Sequence, residues 1–148
     1  MFANNVCKIG IDCIGVGVGA LISNEENKVF LALRSQKAKN ERGKWEIPGG
    51  AVEFGETLEE ALHREVMEEF GVTVSVIKRF NIVDNILPEE HQHWVAQTFL
   101  CRIVSGTPRN CELEKCDQIG WFSLEEAEQL PLALVTIDDI AILKSELQ

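Results

Sequence analysis

The most constraining feature of the sequence is one amphipathic helix with clear start and stop signals. Thr57 followed by Glu60 is a capping-box pattern, in which the threonine side chain accepts a hydrogen bond from a free backbone N–H of the first turn. Gly71 supplies the stop, because glycine readily adopts the left-handed conformation that ends helices. Apolar residues recur at helical spacing between these signals: Leu58, Ala61, Leu62, Val66 and Phe70. The sequence therefore predicts a helix between Thr57 and Gly71 with one buried face.

Three glutamates of this helix lie on one side of it. With about 100° of rotation per residue, Glu65, Glu68 and Glu69 fall within about 100° of one another, in directions that the apolar stripe also occupies. They lie in the C-terminal half of the helix, where the macrodipole disfavours each negative charge by up to ~1 kcal/mol. Repulsion among these carboxylates on a half-buried surface requires compensation.

A solvated acidic face is the ordinary interpretation of such a cluster. That face would lie opposite the apolar stripe and would include basic residues four positions further on. No lysine or arginine occurs within four residues after any of the three glutamates. A divalent cation relieves the repulsion most simply, and hard oxygen ligands favour Mg²⁺, with Mn²⁺ as a possible substitute. The spacing therefore predicts a metal site on this helix.

The rest of the chain alternates strand and helix signals. Residues 15–20 alternate small and apolar side chains up to a polar turn at 23–27, and Val29–Leu33 follows, which predicts a two-stranded hairpin. Trp45 begins a short strand that Pro48 and the Gly49-Gly50 pair should stop. Further strands are predicted at 72–82, 94–104 and 118–122. Ser123 predicts a cap for a short helix, and Thr136 predicts one for a last helix.

Length and charge narrow the classes of function. With 148 residues the chain matches one domain, 1–148, by the prior of roughly 100–200 residues per domain. Its net charge of −10 argues against nucleic acid or an anionic membrane as a partner. The longest apolar run, 9–22, contains an aspartate and four glycines and is too short for a membrane span. We therefore expect a cytoplasmic protein that is a monomer or a homodimer. We expect most of its five cysteines to be buried and to act as small hydrophobic residues.

A longer pattern surrounds the three glutamates. It reads G-x5-E-x7-R-E-U-x-E-E-x-G-U from Gly50 to Val72, with U apolar. The pattern resembles the complete Nudix box of the Nudix hydrolase family, and its seven fixed identities would arise by chance on the order of 10⁻⁷ of the time. The resemblance implies an α/β (α+β) fold, an αβα sandwich with a mixed β-sheet between helices. It also implies Mg²⁺-dependent hydrolysis of a nucleoside diphosphate linked to another moiety.

The resemblance also implies roles for individual residues. The metal ligands would be Glu65, Glu68, Glu69 and the main-chain carbonyl of Gly49. Arg64 would orient Glu65 through an ion pair, and Glu56 would support that pair or join the metal shell through water. No position departs from the family pattern, so an inactive relative that only binds nucleotides is the less favoured alternative.

The identity of the general base stays open. Glu69 belongs to the box, but many relatives use an acid from a later loop. Three acids precede the strand predicted at 118–122: Glu112, Glu114 and Asp117. We favour Glu114, with a solvated loop acid as the alternative for each.

Substrate contacts are predicted at two positions. Arg34, at the end of the second predicted strand, matches in position an arginine that resembles a phosphate contact in MutT-type members. Trp45 is a candidate for stacking on a base, although tryptophans in strands more often belong to the core. Residues 51–57 and 112–117 look similar to MutT-like members, which favours a (d)NTP or an oxidised (d)NTP as substrate. ADP-ribose, a nucleotide sugar or a dinucleoside polyphosphate is the alternative.

Overall fold

Residues 6–148 are described by the computed structural model, and they form seven strands and three helices. The strands are β1 (Gly15–Ile22), β2 (Val29–Arg34), β3 (Trp45–Glu46), β4 (Gly49–Ala51), β5 (Thr73–Leu87), β6 (Gln92–Ser105) and β7 (Cys116–Phe122). The helices are α1 (Leu58–Phe70), α2 (Leu124–Glu128) and α3 (Leu134–Glu146), and a 3₁₀ turn at Pro88–Glu90 joins β5 to β6. None of the helices within residues 6–148 is long and apolar enough to cross a bilayer.

The strands form two sheets that lie between layers of helix. The first sheet has the order β4-β1-β6-β5 and is mixed, because β1 is parallel to β6 and antiparallel to β4. The second has the order β3-β2-β7 and is antiparallel. One core packs α1 against both sheets, and the other packs α2 and α3 against the opposite faces. This arrangement confirms the predicted mixed α+β sandwich.

The predicted hairpin of the first two strands is wrong. β1 and β2 lie in different sheets, and an isolated bridge between Ser23 and Val29 is the contact at their turn. Successive residues at 29–32 are all buried, so both faces of β2 are covered. The backbone groups of a strand that is buried on both faces cannot bond to water, so they need strand neighbours at both edges. β2 pairs with β3 and β7, which come later in the chain.

Helix α1 follows its sequence signals closely. The Thr57 hydroxyl accepts from the backbone N–H of Glu60 at 3.1 Å, and Gly71 ends the helix with a φ of 70°. Phe70 packs edge-on against Phe30 of β2, with ring centroids 5.0 Å apart. These contacts fix the helix and its glutamates against both sheets.

One predicted boundary is confirmed in part and another is wrong. β3 ends at Glu46, before Pro48 and the Gly49-Gly50 pair, but the two glycines also form β4, which pairs with β1. Thr136 does not cap the last helix, because α3 begins at Leu134 and the N-cap is Ala133. The Thr136 hydroxyl is buried within the helix, where it accepts from the backbone N–H of Ile47 at 3.2 Å. That hydrogen bond joins α3 to the segment that leads into β4.

The cysteines divide into two groups. Cys101 and Cys116 are buried, as expected of small hydrophobic residues. Cys7, Cys13 and Cys111 are exposed, so the expectation of a core role is wrong for them. All three lie outside the regular elements of the fold, where no buried face constrains them.

Candidate metal and catalytic site

Strand β4 and helix α1 form the floor of the candidate site. Gly50 faces the carboxyl group of Glu65 so closely that a Cβ at Gly50 would lie 2.4 Å from Glu65 Cδ. At Gly49 a Cβ would lie 2.0 Å from the carbonyl oxygen of Val18 on β1. Glycine is therefore required at Gly49, where the contact is with backbone, whereas at Gly50 it leaves room for the Glu65 carboxylate. The backbone N–H of Gly49 donates to Glu69 Oε1 at 3.2 Å, which fixes the second carboxylate beside the strand.

Arg64 connects the acidic residues of the box. Its Nε and Nη2 donate to the two oxygens of Glu56 at 2.7 and 2.8 Å, a bidentate pair. Its Nη1 donates to Glu65 Oε1 at 2.9 Å and to Glu68 Oε2 at 3.4 Å. Nη2 also donates to the carbonyl of Ala51 at 3.1 Å, which ties the helix to β4. The predicted Arg64–Glu65 ion pair and its support by Glu56 are both present in this arrangement.

This pairing has an electrostatic effect on Glu56. Hydrogen bonds from Arg64, together with one from the backbone N–H of Glu53, lower the pKa of Glu56 to about 2. The same bonds raise the pKa of Arg64. Glu56 is therefore a permanent anion whose charge is neutralised by Arg64, which suits a supporting role.

Glu65 and Glu69 experience the opposite effect. Burial is the main cause that raises the pKa of Glu65, while Arg64 opposes the shift. Burial also raises the pKa of Glu69 well above its usual value, and the nearby charges of Glu46, Glu65 and Glu112 raise it further. These carboxylates lack sufficient positive charge in the protein itself. Oxygen donors in this condition fit a divalent cation, which would favour their ionised forms.

Glu112 reaches the site because its loop is attached to the end of α1. The backbone N–H groups of Arg109 and Cys111 donate to the carbonyls of Phe70 and Glu69 at 3.1 and 2.9 Å. These bonds satisfy carbonyls that a helix end leaves free. They bring Glu112 close enough for its charge to raise the pKa of both Glu65 and Glu69. The attachment uses backbone atoms and has no signal in the sequence.

Glu114, the acid favoured from the sequence, lies on the exposed part of the same loop. Its carbonyl accepts from the Ser35 hydroxyl at 2.6 Å, and it lines a shallow groove with Asp117. Asp117 is exposed as well. Of the three loop acids, Glu112 is the one whose charge acts on the box glutamates.

Arg34 makes internal contacts. Its Nη1 donates to Glu46 Oε1 at 2.7 Å, and its Nε and Nη2 donate to the carbonyl and side chain of Asn40 at 2.9 and 2.8 Å. The guanidinium thus holds the 35–44 loop and balances Glu46, whose pKa burial raises. Glu46 is a residue of the site that sequence reasoning missed. Its signal was a charged residue in a short strand between Trp45 and Ile47.

The structure does not support base stacking by Trp45. The indole is 7% exposed and packs edge-on against Phe122, with ring centroids 5.0 Å apart. It belongs to the core that α2 and α3 cover, so neither ring face is open to a base. The physical reason is that the segment leading into α3 covers β3. The backbone of Trp45 bonds there to Pro131 and Ala133.

The predicted ligands are neighbours, but their side chains do not form a complete coordination site. Glu65 and Glu69 lie against β4, whereas the Glu68 side chain is 51% exposed and points an oxygen at Arg64. Within residues 6–148, no three Asp, Glu, His or Cys side chains converge closely enough to hold an ion.

The family of the chain follows from a match over most of its length. Residues 14–142 match the model of the NUDIX domain. The chain belongs to the NUDIX domain family. The matched range contains both sheets, α1 and every residue of the site described above. The predicted Nudix resemblance is therefore confirmed.

Curated relatives of this NUDIX domain include proteins named for oxidised guanine nucleotides. The 8-oxo-dGTP diphosphatase of Escherichia coli (strain K12) is 38% identical over 78 residues, which are 53% of this chain and 57% of that protein. The 8-oxo-dGDP phosphatase NUDT18 of Mus musculus is 33% identical over 122 residues, 80% of this chain and 32% of that protein. The putative nudix hydrolase 1 of Caenorhabditis elegans is matched over 29% of its length. The chain thus spans about a third of the length of the longer curated relatives.

Solved structures resemble the NUDIX domain as a whole. The MutT NUDIX hydrolase from Burkholderia pseudomallei superposes with a TM-score of 0.80 at 34% identity, covering 87% of this chain and 97% of that one. The MutT protein from Methanosarcina mazei Go1 gives a TM-score of 0.79 at 28% identity, covering 91% and 96%. Both are similar over their full extent, so the arrangement of sheets and helices is that of MutT proteins.

Proposed function

We propose that the chain is a divalent-cation-dependent nucleotide pyrophosphohydrolase that converts a nucleoside triphosphate to the monophosphate and pyrophosphate. The observation that carries the proposal is the group of half-buried carboxylates around β4. Burial and like charges raise the pKa of Glu65 and Glu69, although Arg64 is directly bonded to Glu65. These carboxylates need added positive charge, which a bound cation would supply. The protein has a net charge of −10, so a polyphosphate would also need a cation to bind beside them.

The residues that would hold the cation are the carbonyl of Gly49 with Glu65, Glu68 and Glu69. Mg²⁺ or Mn²⁺, when bound, neutralises phosphate charge and lowers the pKa of a coordinated water. Arg64 holds Glu65 in position. Its bond to Glu56 also ties the turn that precedes α1 to the C-terminal half of this helix. Gly50 leaves room for the Glu65 carboxylate against the strand.

We assign proton removal to Glu112. The attacking water forms a bond to phosphorus, the bridging P–O bond breaks, and Glu112 accepts the proton of the water while pyrophosphate leaves. Glu112 suits this role because its loop is bonded to the end of α1 and its charge acts on both Glu65 and Glu69. Its ion pair with Lys115 is long, at 3.6 Å, and the Lys115 side chain is exposed, so this pair holds the carboxylate weakly. Turnover of Glu112→Gln, compared with Glu114→Gln as the matched control, tests the assignment.

The proposed substrate class is an oxidised purine nucleotide. Relatives at 38% and 33% identity are named for 8-oxo-dGTP and 8-oxo-dGDP. The intact box and the downstream similarity of residues 112–117 to MutT-like proteins support the same class. ADP-ribose, a nucleotide sugar and a dinucleoside polyphosphate remain alternative substrates of the same chemistry.

A panel of nucleotides with product identification tests this proposal. The purified chain is incubated with canonical dNTPs, 8-oxo-dGTP, 8-oxo-dGDP, ADP-ribose and a nucleotide sugar, each with Mg²⁺, Mn²⁺ or EDTA. We expect monophosphate from 8-oxo-dGTP in the presence of either metal and no product in EDTA. Turnover confined to ADP-ribose or the nucleotide sugar would establish the alternative substrate. Stabilisation by nucleotides without any turnover would identify a binding module and refute the enzymatic proposal.

A further inference from the structure

Two exposed cysteines are held together at a turn outside the candidate active site. The Sγ atoms of Cys7 and Cys13 are 2.7 Å apart, and both residues are exposed. A disulfide has an S–S bond of about 2.05 Å, so the two sulfurs already lie in the contact that precedes bond formation. Sequence reasoning missed the pair because the cysteines are six residues apart and match no recognised motif.

The backbone between the cysteines is a closed turn. The N–H groups of Ile11 and Asp12 donate to the carbonyl of Lys8 at 3.0 and 2.8 Å, and Lys8 N–H donates to Asp12 Oδ2 at 2.8 Å. Gly10 N–H donates to the carbonyl of Cys13 at 2.8 Å. These bonds bring the ends of the turn together without help from the sulfurs. The short Sγ–Sγ distance is therefore a product of the folded backbone.

The turn is attached to the body of the domain. The backbone N–H of His93 donates to the carbonyl of Gly10 at 2.8 Å. Gly10 has a φ of 83° and lies against the indole of Trp94, where a Cβ would come within 2.5 Å of the ring. The turn forms one wall of an open groove of about 530 Å³, and Pro88, His91 and His93 form part of the other. A covalent link at the turn would fix that wall.

We propose that Cys7 and Cys13 form a reversible dithiol–disulfide modification site, with small disulfides such as oxidised glutathione as the oxidant. The Cys13 thiolate attacks the disulfide and releases one glutathione, and the Cys7 sulfur then displaces the second from Cys13. Both cysteines are oxidised, one glutathione disulfide is reduced to two glutathione thiols, and the two cysteine protons pass to these thiols.

Two observations support this order and the reversibility. The thiol of Cys7 donates to Cys13, and this hydrogen bond raises the pKa of Cys7, which disfavours Cys7 as the first nucleophile because the thiolate is the attacking form. The turn is already closed by backbone bonds, so the fold does not depend on the link. In a reducing compartment exposed cysteine pairs of this kind are oxidised transiently rather than permanently.

Mass spectrometry of the full chain tests the proposal. Trypsin cleaves after Lys8, between the two cysteines, so peptides 1–8 and 9–28 stay together only if a disulfide joins them. After treatment with oxidised glutathione we expect the chain to lose two hydrogen atoms and to yield this linked pair, which dithiothreitol separates. Cys111→Ser should form the same linked pair. Cys7→Ser and Cys13→Ser should each instead carry a glutathione adduct on the remaining cysteine of the pair.

The folded geometry is tested by comparison with the unfolded chain. Because the fold holds the sulfurs in contact, the link should form at a ratio of oxidised to reduced glutathione roughly tenfold lower than in urea. Equal ratios in the two states would overturn the proposal. Glutathione adducts that persist on Cys7 or Cys13 without closure, a link to Cys111, or thiols that stay unmodified would overturn it as well.

Discussion

The carboxylate of Glu69 must be ionised to bind a cation, yet its surroundings oppose ionisation. It lies between β4 and the loop that carries Glu112, and one backbone N–H, from Gly49, bonds to it. The like charges of Glu46, Glu65 and Glu112 add to the effect of burial. If Glu69 binds the proposed cation, it does so at the expense of stability, as is common at functional sites.

The substitution Glu69→Gln should therefore separate activity from stability. Turnover should fall about a hundredfold or more, because a proposed cation ligand is lost. The Tm without added metal should stay the same or rise, because one charge leaves the cluster. Glu59→Gln on the exposed side of the same helix is the matched control and should keep full turnover. Near-normal turnover in Glu69→Gln, Glu65→Gln and Glu68→Gln alike would contradict the metal assignment.

A second buried carboxylate lies on the other side of the sheets and serves the fold. Asp139 of α3 accepts from the Thr98 hydroxyl at 2.7 Å and from Asn81 Nδ2 at 2.9 Å. Burial raises the pKa of Asp139 from 3.8 to about 6 despite these bonds. Folding therefore favours the neutral form more than the unfolded chain does, and ionisation of Asp139 opposes folding.

Asp139 should make stability depend on pH. Since the folded pKa lies above the unfolded value, its contribution is fully present below pH 3.8 and is lost as the pH rises through about 6. The difference amounts to about 3 kcal/mol in the free energy of unfolding. Urea unfolding of Asp139→Asn between these pH values should lack this contribution. Asp138→Asn should retain most of it, because the charge of Asp138 is the smallest of the causes that shift the pKa of Asp139. Identical pH profiles for Asp139→Asn and the unaltered chain would contradict this account.

At the scale of the elements, the close approach of β4 to α1 determines where Glu65 lies. Gly50→Ala would place a Cβ 2.4 Å from Glu65 Cδ and displace the carboxylate, which can move because it is the end of a flexible side chain. We expect an intact fold with turnover reduced about a hundredfold. Gly17→Ala is the matched control, since its Cβ would meet the Gly50 carbonyl at an ordinary 3.7 Å. Equal turnover in the two variants would show that this approach is not needed.

Which elements could be predicted from the sequence depended on whether their signals were local. Thr57 and Gly71 are adjacent to the helix they delimit, so α1 was predicted in full. The pairing of β1 with β6 and of β2 with β7 joins distant segments, and nearness in sequence suggested a hairpin instead. The same distinction applies to the site. The box residues lie within one local pattern, whereas Glu46 and Glu112 come from segments that only the folded chain brings to it.

At the scale of the whole molecule, the net negative charge would favour binding of the proposed cation. The net charge is −10, and the carboxylates of the site add to it at one place. A divalent ion that binds only the folded chain stabilises it by mass action. The domain as a whole should therefore respond to metal even without nucleotide.

Thermal unfolding with and without metal measures this response. At a metal concentration of ~100 times the dissociation constant, Tm should rise by roughly 5–10 °C. The double variant Glu65→Gln/Glu69→Gln should show little of this rise, because it lacks two proposed ligands. EDTA should abolish turnover of the unaltered chain, and Mg²⁺ or Mn²⁺ should restore it. A rise of equal size in the double variant would place metal binding elsewhere on the surface.

The location of the ion itself tests the proposed metal site most directly. Crystals grown with Mn²⁺ should be measured at a wavelength where manganese scatters anomalously. We expect a strong anomalous peak between α1 and β4, within bonding distance of the Gly49 carbonyl and the carboxylates of Glu65 and Glu69. A map from fully loaded crystals with no peak at that position, and the glutamates still bonded to Arg64, would contradict it.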